Sequence, residues 1–549
     1  MVIFLFGKSF AQEWAWAKKA GNYAFDYGYG ICADDKGNVY VSGKYEMDAY
    51  FDENTTVSCD GNHDIFTAKY DQYGNLLWVR TAGGLWGDYA HAVTCDGNGN
   101  VYVTGELETT IQFHGSTTTL STWGGNDMFI AKYNTEGELL WAKRGGGGGK
   151  GGDRGYAIDL HTDAVYVAGS FNDTAYFDNH QVTSAGDHDT YIAKYDLNGS
   201  LLWIKRGGGI GEDRAIGVAV DSNGDVYTIG HFDNQVEFNG VTYNGKGGRD
   251  LFIAKYDSNG NLVWFKPAGS DRSDMGTSIA VGKDGRIYLT GSFRGESYFE
   301  NVQITSRSSS DIFVACYTKD GEAVWVKRSG GDFSDRGVGI TIDDSVNVYV
   351  TGYFGLEGDF GNTSITAADS ADIFVSKYDK DGNFKWVMQV GGQADSELKQ
   401  GTEESGRSLW MDKSGNLLLT GSMRNNGVFG NTNLIGWMHT DIFLAKIKQS
   451  FSKDFTTPTS LTDFNSFSAL FDIFPNPAEG SVNVSYDGNE QMNISIKVQS
   501  IEGKTIIERN YLATGQSKEI LDLRYFKSGV YIVSITTGEQ RVIKKLVVK

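Results

Sequence analysis

Asn38-Val-Tyr-Val-Ser-Gly43, Asp64-Ile-Phe-Thr-Ala-Lys-Tyr70 and Leu76-Leu-Trp-Val-Arg80 are three short runs whose recurrence decides the fold. The first returns at 100–105, 164–169, 225–230, 286–291, 347–352 and 416–421. The second opens again at Asp127, Asp189, Asp250, Asp311, Asp372 and Asp441. A tryptophan with a basic or glycine-rich tail stands at Trp16, Trp78, Trp141, Trp203, Trp264, Trp325 and Trp386, 61 to 63 residues apart. Self-similarity at a fixed period marks a repeat architecture, in which each unit is one supersecondary element.

Each unit holds four runs of alternating polarity between turn residues, the pattern of half-buried antiparallel strands. In the second unit they are Ala90 to Cys95, Val101 to Gly105, Met128 to Tyr133 and Leu139 to Lys143, here strands a to d. Gly in Asp96-Gly-Asn-Gly-Asn100 and in Asp257-Ser-Asn-Gly-Asn261 supplies the positive φ of tight a–b and c–d turns. Four strands with apolar residues on both faces cannot bury them alone, so the units must stack about an axis. The chain opens with a d-type strand at Trp16, and its repeats finish on a c-type strand, Asp441 to Ile447. The pattern predicts an all-β fold: over residues 12–447, a seven-bladed β-propeller of four-stranded blades. The N-terminal strand closes the ring as the outer strand of the last blade, which removes an open sheet edge.

Composition agrees, with 72 Gly, 29 Tyr, 31 Phe and 12 Trp but only 4 Pro among 549 residues. A formal charge of -20 repels phosphate backbones and anionic lipid, so nucleic acid is excluded as a partner. Cys32, Cys59, Cys95 and Cys316 sit at unrelated points of the repeat and predict unpaired thiols or one incidental bridge. Residues 1–11 read as a signal-peptide remnant: an apolar run, Val2 to Phe6, precedes Ser9-Phe10-Ala11, and cleavage would leave Gln12 first. No other run approaches the ~20 apolar residues of a transmembrane helix.

Past Lys446 the repeat stops. Residues 448–472 read as a linker, and new alternating runs begin at Pro475 and Pro477, fitting a small Ig-like β-sandwich over residues 473–549.

The repeated blocks resemble the bacterial β-propeller repeats called SBBP repeats, a likeness that speaks for fold and is nearly silent on function. The last segment closely resembles the type A sorting domain of the type IX secretion system. Phe474-Pro-Asn-Pro477, Ile501-Glu-Gly-Lys504, Ser528-Gly-Val-Tyr-Ile-Val533 and Lys544-Lys-Leu-Val-Val-Lys549 carry that resemblance. It implies Pro475, Asn476, Pro477, Gly529, Tyr531, Lys544, Lys545, Leu546 and Lys549 as sorting-signal residues. It further implies recognition by the outer-membrane translocon, and a secreted or cell-surface destination in a Gram-negative bacterium.

The repeated tryptophans are expected to pack between neighbouring sheets. A carboxylate precedes strand a in every unit: Asp26, Asp88, Asp153, Asp213, Asp274, Asp335 and, after an insertion, Glu404. These predict a ring near one mouth of the channel, held by structural hydrogen bonds, with a bound Ca2+ or other cation as the competing reading. The Asp-x-Asn-Gly-Asn turns lack the Gly and Glu positions of an EF-hand, and Gly145 to Gly149 lacks the Lys-Ser/Thr order of a phosphate loop. The scattered histidines, including His63 and His188, form no catalytic or zinc-binding motif. Neither catalytic residues nor a resident cofactor are expected.

Function should lie where the repeat is broken. The d–a and b–c loops share one face, and Trp86, Trp123, Trp437 and the insertion Gln393 to Glu403 fall on it, where exposed aromatics can stack on sugar or anchor a protein. The expected function is a non-enzymatic surface protein that binds glycan or protein through this face. The alternatives are a propeller hydrolase or lyase with a channel active site, and a purely structural surface component.

Overall fold

Alternating polarity becomes strand pairing throughout a computed structural model that describes residues 13–149, 151–391, 404–448, 471–487, 492–500, 504–513, 516–537 and 540–549. Residues 1–11, nearly all of the linker and the insertion 393–403 lie outside the described residues. No helix occurs among the described residues; the protein is all-β and propeller-like. The chain divides into two units, Met1–Ser450 and Phe451–Lys549.

In the first unit the strands pair antiparallel in sets of four, a to d. The sets begin with strand a at Tyr27–Ala33, Tyr89–Cys95, Arg154–His161, Arg214–Val220, Met275–Val281, Arg336–Ile342 and Ser405–Met411. In the last set the fourth strand comes from the start of the chain: Glu13–Ala20 pairs antiparallel with Thr432–Lys448. Each strand a touches strand a of the next set, and Ser405–Met411 touches Tyr27–Ala33.

The repeated tryptophan links neighbouring sets. Its indole N–H donates to a carbonyl in the next c–d turn: Trp78 to Thr135 at 3.1 Å, Trp141 to Leu197 at 3.2 Å, Trp325 to Lys380 at 3.1 Å. Trp16, in the strand paired to the last set, makes the same bond to Gln72 of the first set at 3.1 Å. The turn glycine must be small as well as left-handed, because a Cβ on Gly137 would lie 2.9 Å from the ring of Trp78.

The b–c connections, expected as loops, are instead hairpin extensions of the strands themselves, as in Val101–Phe113 with Thr119–Tyr133. These extensions reach back to strand d of the preceding set, where Ala82 pairs with Phe113 and Gly145 with Phe177. Strand d is thereby covered along part of its outer edge. Runs such as Thr174 to Phe177 alternate in polarity as strands do, but they differ between units, so the repeat alone does not reveal them.

All four cysteines are thiols, and buried Cys32 and Cys95 belong to one apolar cluster.

In the second unit, Thr505–Ala513, Met492–Ser500, Gly529–Thr537 and Gln540–Val548 pair in that order, and Ser481–Asp487 pairs with both Phe471–Glu479 and Gln516–Asp522. Their inward residues, including Val482, Val484, Ile496, Val498, Val533, Ile535 and Leu546, form one buried cluster.

Candidate functional site

Strand a is preceded in every set by a buried acid. Asp26, Asp88, Asp153, Asp213, Asp274, Asp335 and Glu404 are each no more than 5% exposed. One oxygen of each Asp accepts a backbone N–H from the d–a connection, from Asn22, Gly84, Gly147, Gly209, Ser270 and Gly331 at 2.6–3.1 Å. The other accepts a backbone N–H from strand b of its own set or the residue just past it, from Glu46, Glu108, Asn172, Asp233, Arg294 and Gly355 at 2.8–3.2 Å. Glu404 accepts from Arg424 at 3.3 Å. The N–H of each Asp in turn donates to the preceding set, as Asp88 does to the carbonyl of His63 at 2.9 Å. One residue thus ties the d–a connection, its own strand b and the neighbouring set together.

Burial pushes these carboxyls up, to about 7 at Asp26, Asp153, Asp213 and Asp335 and to about 8 at Asp88, against the backbone donors that hold them down. The acid that opens strand c contributes. The charge of Asp64 raises Asp88, that of Asp127 raises Asp153, and that of Asp311 raises Asp335. Oδ1 of Asp64, Asp127, Asp189 and Asp311 is buried without a hydrogen-bond partner. Two acids meet at each such junction; Arg144, Arg206 and Arg328 pair with Asp127, Asp189 and Asp311, and protonation of the acid before strand a relieves the repulsion that is left. Among the described residues, no group of three or more His, Cys, Asp or Glu is arranged to hold a metal.

The acid also positions the strand behind it. In every strand a the register against strand b slips by one residue, a β-bulge, leaving Tyr29, His91, Tyr156, Ile216, Thr277, Val338 or Arg407 without a partner. The bulge requires a glycine opposite: a Cβ at Gly43, Gly105, Gly169, Gly230, Gly291, Gly352 or Gly421 would lie 1.8–2.0 Å from a carbonyl oxygen of strand a. Bulges re-aim side chains. Here the bulged residue and the first residue of strand a form rows that meet from set to set.

Those rows are aromatic on one side. Tyr27 stacks on Tyr29 at 5.8 Å with planes 2° apart, Tyr29 meets His91 at 5.6 Å, and His91 meets Tyr156 at 5.6 Å. Arg407 lies 5.7 Å from the ring of Tyr29, and Arg214 lies 5.8 Å from that of Tyr156. Glu106 anchors Arg154 at 2.7 Å and His91 at 3.2 Å; these partners hold its carboxyl down to about 2 although burial opposes them. Glu212 pairs with both Arg214 and Arg249. Periodicity alone does not single out these residues. A signal is nevertheless present in the sequence, because this position is Tyr, His, Tyr, Ile, Thr, Val and Arg in successive units while its neighbours hardly change.

The expected aromatic face is more dispersed. Trp86 and Trp123 are half-exposed, at 51% and 54%. Trp123 is folded against the guanidinium of Arg144 at 3.5 Å and the ring of Tyr176 at 5.6 Å, and it lines a shallow recess with Ser121 and Asp178. No ring contact joins Trp86 to Trp123 among the described residues, and the side chain of Trp437 lies outside them. Gly145 to Gly147 continues a d strand, Leu139–Gly147. The Asp-x-Asn-Gly-Asn carboxylates are occupied by their own turns: Asp96 takes N–H groups of Asn98 and Asn100 and the amide of Asn100.

In the C-terminal unit most of the sorting-signal residues lie at its two ends, which are joined through Asn476, and Gly529 and Tyr531 lie in the strand before the last. Its side-chain amide donates to the carbonyl of Lys545 at 2.5 Å, and its Oδ1 accepts the N–H of Val547 at 2.8 Å. Pro475 and Pro477 flank it in cis peptides. Leu546 is fully buried, whereas Lys545 and Lys549 are exposed and Lys544 is partly buried. Gly529 pairs with Val548, and the hydroxyl of Tyr531 donates to the carbonyl of Lys527 at 2.8 Å.

Residues 472–549 match the family described as the secretion system C-terminal sorting domain. The chain is therefore exported, to the cell surface or beyond, from a Gram-negative bacterium. The chain is also similar to the uncharacterized WD repeat-containing protein L264 of Acanthamoeba polyphaga mimivirus, 21% identical over 475 residues, covering 68% of this chain and 34% of that protein. With the regulatory protein FlaEY of Caulobacter vibrioides it shares 27% identity over 171 residues, covering 30% of this chain and 18% of that one. The chain spans about a third or less of these curated relatives. Among solved structures, a glycoside hydrolase family 43 arabinoxylan arabinofuranohydrolase from Bacillus subtilis is 11% identical with a TM-score of 0.27, covering 83% of this chain and 93% of that one. A glycoside hydrolase family 32 protein from Bifidobacterium adolescentis is 9% identical with a TM-score of 0.24, covering 97% and 95%. Likeness at this level decides nothing about chemistry.

Proposed function

We propose that the exported chain is a non-enzymatic binding module: an SBBP-type, seven-bladed β-propeller over residues 12–447, joined by a linker to an Ig-like β-sandwich that the type IX translocon reads. Ring closure is supported by the bond from Trp16 to Gln72, which repeats the link between consecutive sets across the chain's beginning and end. A binding role rests above all on the a-strand rows. They differ from unit to unit at the bulged position, within a scaffold that repeats around them. The acids that a hydrolase would need are repeated instead, and the Asp side chains before strand a are taken up by backbone donors on both sides. We assign binding to the face where the d–a connections open, which also carries Trp86.

The test is a glycan array and a polysaccharide and protein pull-down with the full chain, together with a panel of chromogenic glycosides. Selective retention of a glycan or protein without turnover is expected. Turnover of any glycoside, or retention of nothing, would sink the reading.

A further inference from the structure

Arginine on the a-strand rows is compensated unevenly. Arg154 and Arg214, and Arg249 reaching in from strand c, each have a carboxylate within ion-pair distance. Arg336 and Arg407 have none among the described residues, and Nε of each is buried without a hydrogen-bond partner. Arg336 and Arg407 stand on strands a of two touching sets, and the charges of Arg407 and Arg249 both work against that of Arg336. His231 is 4% exposed, both of its ring nitrogens lack partners, and it faces the charges of Arg249, Arg214 and Arg336. Arginine cannot shed its proton to escape such a site. A desolvated cation without a counter-charge is costly, so this cluster calls for an anion, in a chain whose formal charge is -20.

We infer that the a-strand rows take a small uronate saccharide, its carboxylate held between Arg336 and Arg407 and its ring against Tyr27 and Tyr29. This rests on the binding-module reading and names its ligand class. The guanidinium fork matches a carboxylate or sulfate through two parallel hydrogen bonds. Arg407 links the two halves of the site, since it lies 5.9 Å from the ring of Tyr27 and 5.7 Å from that of Tyr29. Parallel tyrosine faces suit the apolar face of a sugar. The chain's negative charge works against long polyanions and favours a ligand with one or two charges.

The experiment is calorimetric titration of the full chain with digalacturonate, with the neutral digalactose and with sodium sulfate, at low salt. It is repeated on Arg336→Gln/Arg407→Gln and on Arg336→Lys, which keeps the charge but loses the fork. Digalacturonate is expected to bind and to raise the Tm of the wild type. Its Kd should weaken at least tenfold in the double variant and less in Arg336→Lys, and digalactose should give no heat. Equal binding of digalactose, or sulfate binding without digalacturonate, overturns the saccharide assignment. Undiminished digalacturonate binding in both variants overturns the site while leaving the binding-module reading intact. If the double variant does not fold, the wild-type Tm shift and the Arg336→Lys titration decide the matter; no shift and no heat overturn the inference.

Discussion

Burial pushes the carboxyl of Asp88 up to about 8, and the charge of Asp64, buried at the same junction, adds to the push. Asp64 is itself raised by burial to about 6. With equivalents at Asp26, Asp153, Asp213 and Asp335, the native state holds protons that the unfolded chain, with carboxyls near 3.8, has lost. Stability from these groups is therefore full below about pH 4 and drains away as pH rises towards 8. His63, lowered by burial to about 4, works the other way, but only between about 4 and 6.5. Tm should fall by several degrees between pH 6.5 and 8.5, and the slope should be shallower in Asp88→Asn. A flat or rising profile over that interval would remove the account of protonated carboxyls at these junctions.

Calcium provides a separate check on the same junctions. Both oxygens of Asp88 already accept backbone N–H groups, from Gly84 and Glu108, so the carboxyl is satisfied without an ion. Millimolar calcium or magnesium at pH 8.5 should leave Tm unchanged and give no heat in a titration. A rise in Tm would mean that a cation takes the place of the proton at high pH.

The bulge glycines should be intolerant. In Gly105→Ala the new Cβ would lie 1.8 Å from the carbonyl oxygen of Tyr89, and no rotamer change can relieve a clash with backbone. We expect a loss of at least about 2 kcal/mol in urea unfolding. Gly115→Ala is the control. It has positive φ but open space around its Cβ, so only the backbone cost of about 1 kcal/mol applies.

The strand blocks are legible in the sequence because packing imposes the same residues at every turn of the repeat. Trp78, Tyr102 and Asp127 recur because each meets the same neighbours in every set. The a-strand rows are hidden for the opposite reason. Tyr29, His91 and Arg407 share a position that alternation alone assigns to a plain strand, and only a one-residue slip in pairing turns them outward. The acids before strand a are readable as a series. Their double hydrogen bonding is not, because it depends on strand b some twenty residues away. Trp123 has the look of a ligand platform in the sequence, but the cation that meets it, Arg144, comes from strand d of its own set.

Asn476 offers the sharpest test of the C-terminal unit. Its amide bridges the first strand of the unit to the last, spanning 69 and 71 residues to Lys545 and Val547. Asn476→Ala removes one donor and one acceptor together, leaving the carbonyl of Lys545 and the N–H of Val547 to find water at a partly exposed site. The expected cost is about 1–2 kcal/mol, short of unfolding a cluster as well packed as that around Val533 and Leu546. Asn476→Asp keeps the acceptor for Val547 but sets a carboxylate oxygen against the carbonyl of Lys545, so its stability should be no higher than that of the alanine variant. If the translocon reads the joined ends rather than the bare sequence, export should drop in both variants relative to the wild type, as measured by the fraction of chain outside the cell. Full export of the alanine variant would show that the joint serves stability alone.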